Sequence, residues 1–464
     1  MEKANFRKVY FAGIGGIGMA ALARYYLSRG LAVAGYDRTS SHLTDELAAE
    51  GAVISFDDSM DAVPADFRDP ADTLVVYTPA VPATNIPLSF FRDNGFEVRK
   101  RAYVLGQITR DSKSLCFSGT HGKTTTSSMA AHIMHSGAVG CNAFLGGILK
   151  GYDSNLILSA DSPWSVLEAD EYDRSFHQLT PYIAVVNATD PDHLDIYGTE
   201  EAYLESFAHF TELIRPDGHL LLRTGLKLVP RPAEGVKVHY FGRTDGDFHA
   251  DNVRTADGSM FFDFVYPGGR IDNIELGVPV DVNVDNAVAA LAAVWLTGTL
   301  TPELARSAMA SYPGVERRFE FHLKEKGPHG RAIIDDYAHH PDELRRSIES
   351  VRALYPGRRL TVAFQPHLYS RTRDFAAEFA AALDLADEVI LTDLYPAREE
   401  PIPGISSKTI FDLIKNQNKS MIAKEDFVET MKNRNFEILL TAGAGDLSLS
   451  VPRLAADIAA ASQR

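Results

Sequence analysis

The sequence predicts an α/β protein of three domains. We expect a Rossmann-like N-terminal domain at 1–108, a central P-loop ATPase-like domain at 109–313 and a C-terminal Rossmann-like domain at 314–464. Three observations predict this class. Short apolar runs alternate with helical patterns along all 464 residues, which is typical of parallel sheets. Glycine-rich turns follow two of these runs, and polar clusters follow several others. A chain of this length suits roughly three domains.

The composition is that of an ordinary globular protein, with 45% hydrophobic and 23% charged residues. The formal net charge of −16 argues against nucleic-acid binding, because neutralising phosphates needs a basic surface. Cys116 and Cys141 are too few for a disulfide framework. No apolar run is long enough to span a bilayer, and glycines interrupt the apolar N-terminal stretch. We therefore expect a cytoplasmic protein without membrane insertion.

The N-terminal domain begins with a strand, a glycine turn and a helix expected at 19–27. An apolar strand at 9–12 runs into a turn that satisfies G-x-G-x-x-G, with Gly13, Gly15, Gly16 and Gly18. A second strand at 31–36 ends at Asp37, an acid at the distance expected for a ribose hydroxyl. The pattern predicts a site for a diphosphate with a ribose and leaves the nucleotide open. Glycines that only tighten helix against strand are the structural alternative.

The central domain opens with a phosphate loop between a strand at 115–117 and a helical pattern. The loop holds Gly119, Thr120, His121, Gly122, Lys123, Thr124 and Thr125. Its glycines let consecutive N–H groups point at one anion, where the helix adds its positive end. Lys123 can reach the outer phosphates of ATP, and the Thr124 hydroxyl can ligate Mg²⁺. Phe117 replaces the usual first glycine, so the loop is a shorter G-x-x-G-K-T version; the alternative is a turn that binds nothing.

Acidic residues follow two further strands of the central domain. The strand at 164–167 ends in Glu168, Asp170, Glu171 and Asp173. These carboxylates repel one another unless cations collect there, so they predict a Mg²⁺ position beside the phosphate loop. A solvated acidic loop is the alternative, and closeness to Lys123 would decide between them. His193 lies among acids past a strand at 182–186 and is either a metal ligand or a surface histidine.

Two asparagines open a predicted helix at 282–296. Asn283 and Asn286 either read the edge of an adenine or cap the helix.

Four strands of the C-terminal domain are each followed by a polar cluster, at 335–341, 365–373, 393–399 and 443–446. Ligands bind at the carboxyl ends of strands in open α/β sheets, so these clusters predict a polar binding face. The simplest activity that uses a diphosphate-ribose site, an ATP and Mg²⁺ site and this face is an ATP-dependent ligase. In such an enzyme ATP phosphorylates a carboxylate, and an amine attacks the acyl phosphate.

The chain resembles the Mur ligase family from end to end. The resemblance rests on the order of GIGGIGM at 13–19, GTHGKTT at 119–125, EADE at 168–171, DHLD at 192–195, DDYAHHP at 335–341, FQPH at 364–367 and GAGD at 443–446. It implies a ligase, dependent on ATP and Mg²⁺, that joins the lactoyl carboxylate of UDP-N-acetylmuramate to L-alanine in cytoplasmic peptidoglycan precursor synthesis. The implied partners are these small molecules, and the chain is expected to be a monomer or a homodimer.

The resemblance also implies roles for individual residues. UDP-sugar binding is implied for Gly13, Gly15, Gly16, Ile17, Gly18, Asp37 and Thr78. ATP binding is implied for Gly119, Thr120, His121, Gly122, Lys123, Thr124, Thr125, Asn283, Asn286 and Arg317. The implied Mg²⁺ ligands are Thr124, Glu168 and His193. Binding of alanine and the muramoyl carboxylate is implied for Tyr337, His339, His367 and Arg371, and catalysis for Lys123, Glu168, His193, His339 and Arg371.

Two positions depart from the family pattern. Val282 stands where many members have His, before the asparagine of the adenine helix. Leu368 stands where many have Arg, which leaves Arg371 as the carboxylate clamp and Arg373 as its substitute. Three other functions stay open. They are a ligase that adds a whole tripeptide to the same UDP-sugar, an NAD-dependent oxidoreductase built on the first glycine motif, and a non-catalytic nucleotide-binding regulator.

Overall fold

The protein is described by a computed structural model covering residues 6–152, 154–191, 194–256, 259–325, 327, 330–397 and 399–462. Sheets that are largely parallel alternate with helices along the chain. This arrangement confirms the predicted α/β class. No helix among these residues is both long and apolar enough to cross a membrane.

The N-terminal sheet has five parallel strands. They are β1 (Lys8–Ala12), β2 (Ala32–Tyr36), β3 (Val53–Ser55), β4 (Thr73–Tyr77) and β5 (Glu97–Lys100), in the order β3-β2-β1-β4-β5. The helices are α1 (Ile17–Ser28), α2 (His42–Ala49), α3 (Ile86–Asp93) and α4 (Arg101–Asp111). The strand order reverses between β1 and β4, where doubly wound sheets open a crevice for ligands. The first glycine turn follows β1 at this point.

The central sheet has seven strands, and only β8 runs antiparallel to its neighbour. They are β6 (Lys113–Ser118), β7 (Asn142–Leu149), β8 (Ser154–Ile157), β9 (Trp164–Glu168), β10 (Ile183–Val186), β11 (His219–Arg223) and β12 (Lys237–Phe241), in the order β12-β11-β10-β6-β9-β7-β8. The helices are α5 (Lys123–Ser136), α6 (Leu194–Tyr197), α7 (Glu200–Glu212), α8 (Asp281–Leu296) and α9 (Pro302–Ser311). A small sheet comprises β13 (His249–Ala256), β14 (Ser259–Tyr266) and β15 (Gly269–Leu276). The phosphate loop follows the central strand β6.

The C-terminal sheet has six strands, of which β16 is antiparallel to β17. They are β16 (Glu320–Lys324), β17 (Ala332–Asp336), β18 (Leu360–Phe364), β19 (Glu388–Leu391), β20 (Lys419–Met421) and β21 (Ile438–Ala442), in the order β16-β17-β21-β18-β19-β20. The helices are α10 (Pro341–Leu354), α11 (Tyr369–Asp374), α12 (Ala376–Leu383), α13 (Ser407–Phe411), α14 (Phe427–Lys432) and α15 (Val451–Ser462). The predicted polar clusters follow β17, β18, β19 and β21.

The N-terminal and central sheets share one hydrophobic core. Its buried members include Phe11 and Met19 from the first sheet region and Phe144 and Leu167 from the second. Tyr25 on α1 packs edge-on against Phe144 on β7, with ring centroids 5.4 Å apart. Phe11 on β1 and Cys116 on β6 both belong to this core, so the strands that precede the two glycine turns are packed together.

The predicted domain limits stay predictions, and the first one falls inside a helix. A boundary after residue 108 divides α4, which runs to Asp111. The chain forms two compact units, and the longest segment of the second is Gly314–Arg464.

Candidate active site

The phosphate loop needs both of its glycines. Gly119 has φ of 130° and Gly122 has φ of 80°, values that side chains rarely adopt. A Cβ at Gly119 would also lie 2.7 Å from the backbone nitrogen of Ala188. Gly122 directly precedes α5, and within the described chain no side chain caps that helix. The loop therefore presents unpaired helix amides, which suit an anion.

Lys123 is held in place by a buried carboxylate. Its Nζ lies 2.8 Å from an oxygen of Glu171 and donates to the carbonyl of Gly119, also at 2.8 Å. The Glu171 side chain is 1% exposed, and burial raises its pKa while Lys123 opposes that shift. The structure thus brings the acidic stretch to Lys123, which excludes a purely solvated loop. Sequence reasoning gave Glu171 no role of its own, although the crowding of acids after β9 was a signal.

Two oxygen donors meet beside the loop. The Thr124 hydroxyl donates to Glu168 Oε2 at 2.9 Å. Hydroxyl and carboxylate oxygens are ligands that Mg²⁺ prefers, so this pair fits the implied ion. Over the described part of the chain no three His, Cys, Asp or Glu side chains converge on one metal position. The predicted ligand His193 lies outside the described residues.

Gly146 on β7 leaves the space that the Glu168 carboxylate occupies. A Cβ there would lie 2.1 Å from Glu168 Oε2. We expect Gly146→Ala to displace this carboxylate from Thr124 and to raise the Mg²⁺ concentration for half-maximal ligase activity about 10-fold. A Mg²⁺ titration of the variant measures this. The urea midpoint should change little, because only the end of a flexible side chain must move. An unchanged Mg²⁺ requirement would contradict the assignment.

The asparagines of α8 lie inside the helix. The helix begins at Asp281, so Asn283 is already in its first turn, and its amide donates to the Val278 carbonyl at 3.1 Å. Asn286 accepts a hydrogen bond from Thr126 Oγ1 at 3.2 Å. Asn286 lies a full turn past the start of the helix, so helix capping does not explain why an asparagine occupies this position. Adenine binding by both residues stays a prediction.

The first glycine turn is closed by Asp37. Gly15 donates its backbone N–H to Asp37 Oδ2 at 2.7 Å, so this carboxylate orders the turn. Gly13 has φ of 88°, and a Cβ there would lie 2.7 Å from the methyl of Thr78. Helix α1 begins at Ile17, two residues before the predicted start. Contact of Asp37 and Thr78 with a nucleotide stays a prediction.

A cavity of about 370 Å³ connects the first glycine turn to the predicted metal ligand. Gly16, Ile17 and Gly18 line it, together with Glu168 and Asp170. The sequence placed these groups in two separate domains. The structure brings them to one cavity within one compact unit.

The polar clusters after β17 and β18 converge on a group of aromatic rings and arginines. The ring of His339 lies 5.0 Å from that of Tyr337 and 6.2 Å from that of His367. Burial lowers the pKa of His339, and burial with the nearby Arg371 lowers the pKa of His367 to about 4. Burial therefore favours the neutral form of both imidazoles. Arg371 Nη1 and His367 Nδ1 are buried without a hydrogen-bond partner among the described residues, which fits an anionic ligand.

Two arginines near this group have other partners. Arg317 donates from Nη2 to the carbonyls of Gly443 and Gly445, both at 2.9 Å, and so fixes the turn after β21. Its predicted phosphate contact stays a prediction. Arg373 forms an exposed ion pair with Asp374 at 2.6 Å. The expectation that Arg373 could substitute for Arg371 stays a prediction.

Leu368 and Tyr395 complete the surroundings of His367. Leu368 takes the place of the common arginine and has φ of 69°, a strained value immediately before α11. Tyr395 stacks on His367 with centroids 5.9 Å apart. The sequence predicts Tyr395 in the polar cluster at 393–399 and His367 in the cluster at 365–373. It does not predict their contact, because no local pattern indicates that these two loops are neighbours.

Three family models match the chain in succession. They are "Mur ligase family, catalytic domain" at 8–113, "Mur ligase middle domain" at 117–294 and "Mur ligase, glutamate ligase domain" at 317–453. The chain is 54% identical to a UDP-N-acetylmuramate–L-alanine ligase of Phocaeicola vulgatus, with 98% of each chain covered.

Solved structures show the same architecture. UDP-N-acetylmuramate-alanine ligase MurC from Thermotoga maritima matches with a TM-score of 0.79 and 26% identity, covering 98% of this chain and 99% of that one. A murein peptide ligase from Psychrobacter arcticus matches with a TM-score of 0.63 and 20% identity, covering 96% and 98%, which shows the fold alone. The chain belongs to the Mur ligase family.

Proposed function

We propose that the chain is an ATP-dependent ligase that joins the lactoyl carboxylate of UDP-N-acetylmuramate to L-alanine. The observation that carries this proposal is the cavity between the first glycine turn and Glu168. A substrate whose diphosphate lies on the turn can extend its carboxylate through this cavity toward the phosphate loop. The high identity to a relative that bears this activity in its name supports the choice of substrates.

The reaction has two displacement steps. A carboxylate oxygen attacks the γ-phosphorus of ATP, the bond to the β-phosphate oxygen breaks, and ADP leaves. The amine of alanine then attacks the acyl carbon, and phosphate leaves with the carbon–oxygen bond pair. Lys123 would bind the transferring phosphoryl group, since it is the first residue of α5 and its ammonium contacts the Gly119 carbonyl of the phosphate loop at 2.8 Å. Bound Mg²⁺, held by Thr124 and Glu168, would supply charge neutralisation between the phosphates.

The residues after β17 and β18 suit the amino acid. Arg371 offers an unpaired buried guanidinium nitrogen to a carboxylate. Burial favours the neutral form of His339, and a neutral imidazole nitrogen can accept a hydrogen bond or a proton from the amine of alanine. The chain would thus work on soluble precursors of peptidoglycan in the cytoplasm, as a monomer or a homodimer.

A substrate panel tests the proposal. Phosphate release is measured with ATP, Mg²⁺ and UDP-N-acetylmuramate, together with L-alanine, L-serine, glycine or the stem tripeptide. We expect ADP and phosphate in equal amounts over many turnovers with L-alanine. Turnover with the tripeptide alone would instead favour the murein-recycling alternative. Nicotinamide binding without ATP turnover would favour an oxidoreductase, and nucleotide binding without turnover would favour a regulator.

A further inference from the structure

Arg101 is the only basic residue among the described residues that line the cavity between the first glycine turn and Glu168. It is the first residue of α4, and its side chain is half-buried. The other charged residues of the lining are Glu168 and Asp170. A single cation in a cavity with two acids, in a chain of net charge −16, marks where an anionic ligand would be attracted.

The guanidinium of Arg101 packs directly on the glycine turn. A Cβ at Gly18 would lie 2.4 Å from Arg101 Nη1 and 3.3 Å from its Cζ. Gly18 is the second residue of α1, so the guanidinium lies beside the unpaired amides at the start of that helix. The charge of Arg101 and the positive end of α1 therefore act at the same place.

Arg101 is not held by another side chain. No hydrogen bond or ion pair joins it to the residues described, whereas its neighbour Lys100 pairs with Asp173 at 3.5 Å. Arg101 instead faces a cavity, with donors that match two phosphate oxygens at once.

We propose that Arg101 binds the diphosphate of the UDP-sugar and that Gly18 is a glycine in order to leave room for its guanidinium. This inference rests on the proposed function, since it assigns a further binding residue for the same substrate. It gives the third glycine of the first motif a role in ligand binding, besides the packing of helix against strand.

Calorimetric titration of the full chain with UDP alone tests the assignment without relying on catalysis. We expect Arg101→Ala to weaken UDP binding about 10-fold or more, because a charge-assisted contact is lost. Arg101→Lys should restore part of the affinity, since it keeps the charge without the planar fork. The matched control is Arg110→Ala on the same helix, where the arginine contacts Gln107 and Gln178. It removes the same charge and should leave UDP affinity unchanged.

A double-mutant cycle tests the role of Gly18. Gly18→Ala should weaken UDP binding about as much as Arg101→Ala, because the methyl group displaces the guanidinium. The double variant should be no weaker than either single variant, since both remove one interaction. The urea midpoint of Gly18→Ala should stay close to that of the parent, because the clash involves only the end of a flexible side chain.

Several outcomes would overturn the inference. Unchanged UDP affinity in Arg101→Ala, or no UDP binding by the parent, would refute the diphosphate contact. Loss of affinity for UDP-N-acetylmuramate but not for UDP or UDP-N-acetylglucosamine would assign Arg101 to the lactoyl carboxylate instead. If the losses of UDP affinity in the two single variants add up in the double variant, Gly18 serves only to pack α1 against the sheet. Failure of the proposed function is a separate result, namely a parent that binds UDP but forms no ADP with alanine.

Discussion

Replacing Lys123 by alanine should lower ADP formation by on the order of 10³-fold or more. The variant loses the ammonium group that we propose binds the transferring phosphoryl group. It also leaves Glu171 buried without its cation, which should destabilise the fold by about 3–5 kcal/mol. Phosphate release at saturating substrates and urea unfolding measure the two effects separately.

A second variant separates catalysis from folding. Adding Glu171→Gln to Lys123→Ala removes the unpaired charge and should recover most of the lost stability. Turnover should stay at the level of the single variant, because glutamine supplies no positive charge at the loop. Recovery of turnover in the double variant would mean that Lys123 only maintains the fold.

Replacing Arg371 by alanine should raise KM for L-alanine about 10- to 100-fold, because its buried guanidinium nitrogen would pair with a substrate carboxylate. The KM values for ATP and UDP-N-acetylmuramate should change much less. Initial rates with each substrate varied in turn give the three constants.

Arg373 supplies the matched control for this variant. It lies on the same helix α11, and its charge is engaged at the surface by Asp374. Arg373→Ala should leave KM for L-alanine within about 2-fold of the parent, since exposed ion pairs contribute little. Equal losses in both variants would contradict a specific role for Arg371.

The fold was predictable because strand ends and apolar runs are local features. The strand predicted at 9–12 lies within β1 (Lys8–Ala12), and the phosphate loop lies between β6 and α5 as its glycines require. The predicted start of α8 is one residue late, which is within the one or two residues by which the ends of helices are ordinarily defined.

The side-chain contacts that form the site could not be predicted from the sequence. Glu171 and Lys123 are separated by 48 positions, and no periodicity specifies which of four nearby acids takes the lysine. Gly146 and Glu168 meet only because β7 and β9 are neighbours in the sheet. The Arg101 guanidinium reaches Gly18 from α4, a pairing that depends on three-dimensional packing. The roles implied by resemblance for the residues around His367 stay predictions.

The shared core of the N-terminal and central sheets has a consequence for how the protein unfolds and for how it responds to substitutions. Because Phe11, Met19, Phe144 and Leu167 belong to one buried cluster, the two sheets gain and lose their packing together. A hydrogen bond of 2.8 Å from Asn155 to the Ile17 carbonyl ties α1 to β8 as well. Two glycine turns that look like separate modules in the sequence thus follow strands of one packed core. We expect a cavity-forming substitution in either sheet to loosen this shared core, so that its effect reaches the turn in the other sheet as well.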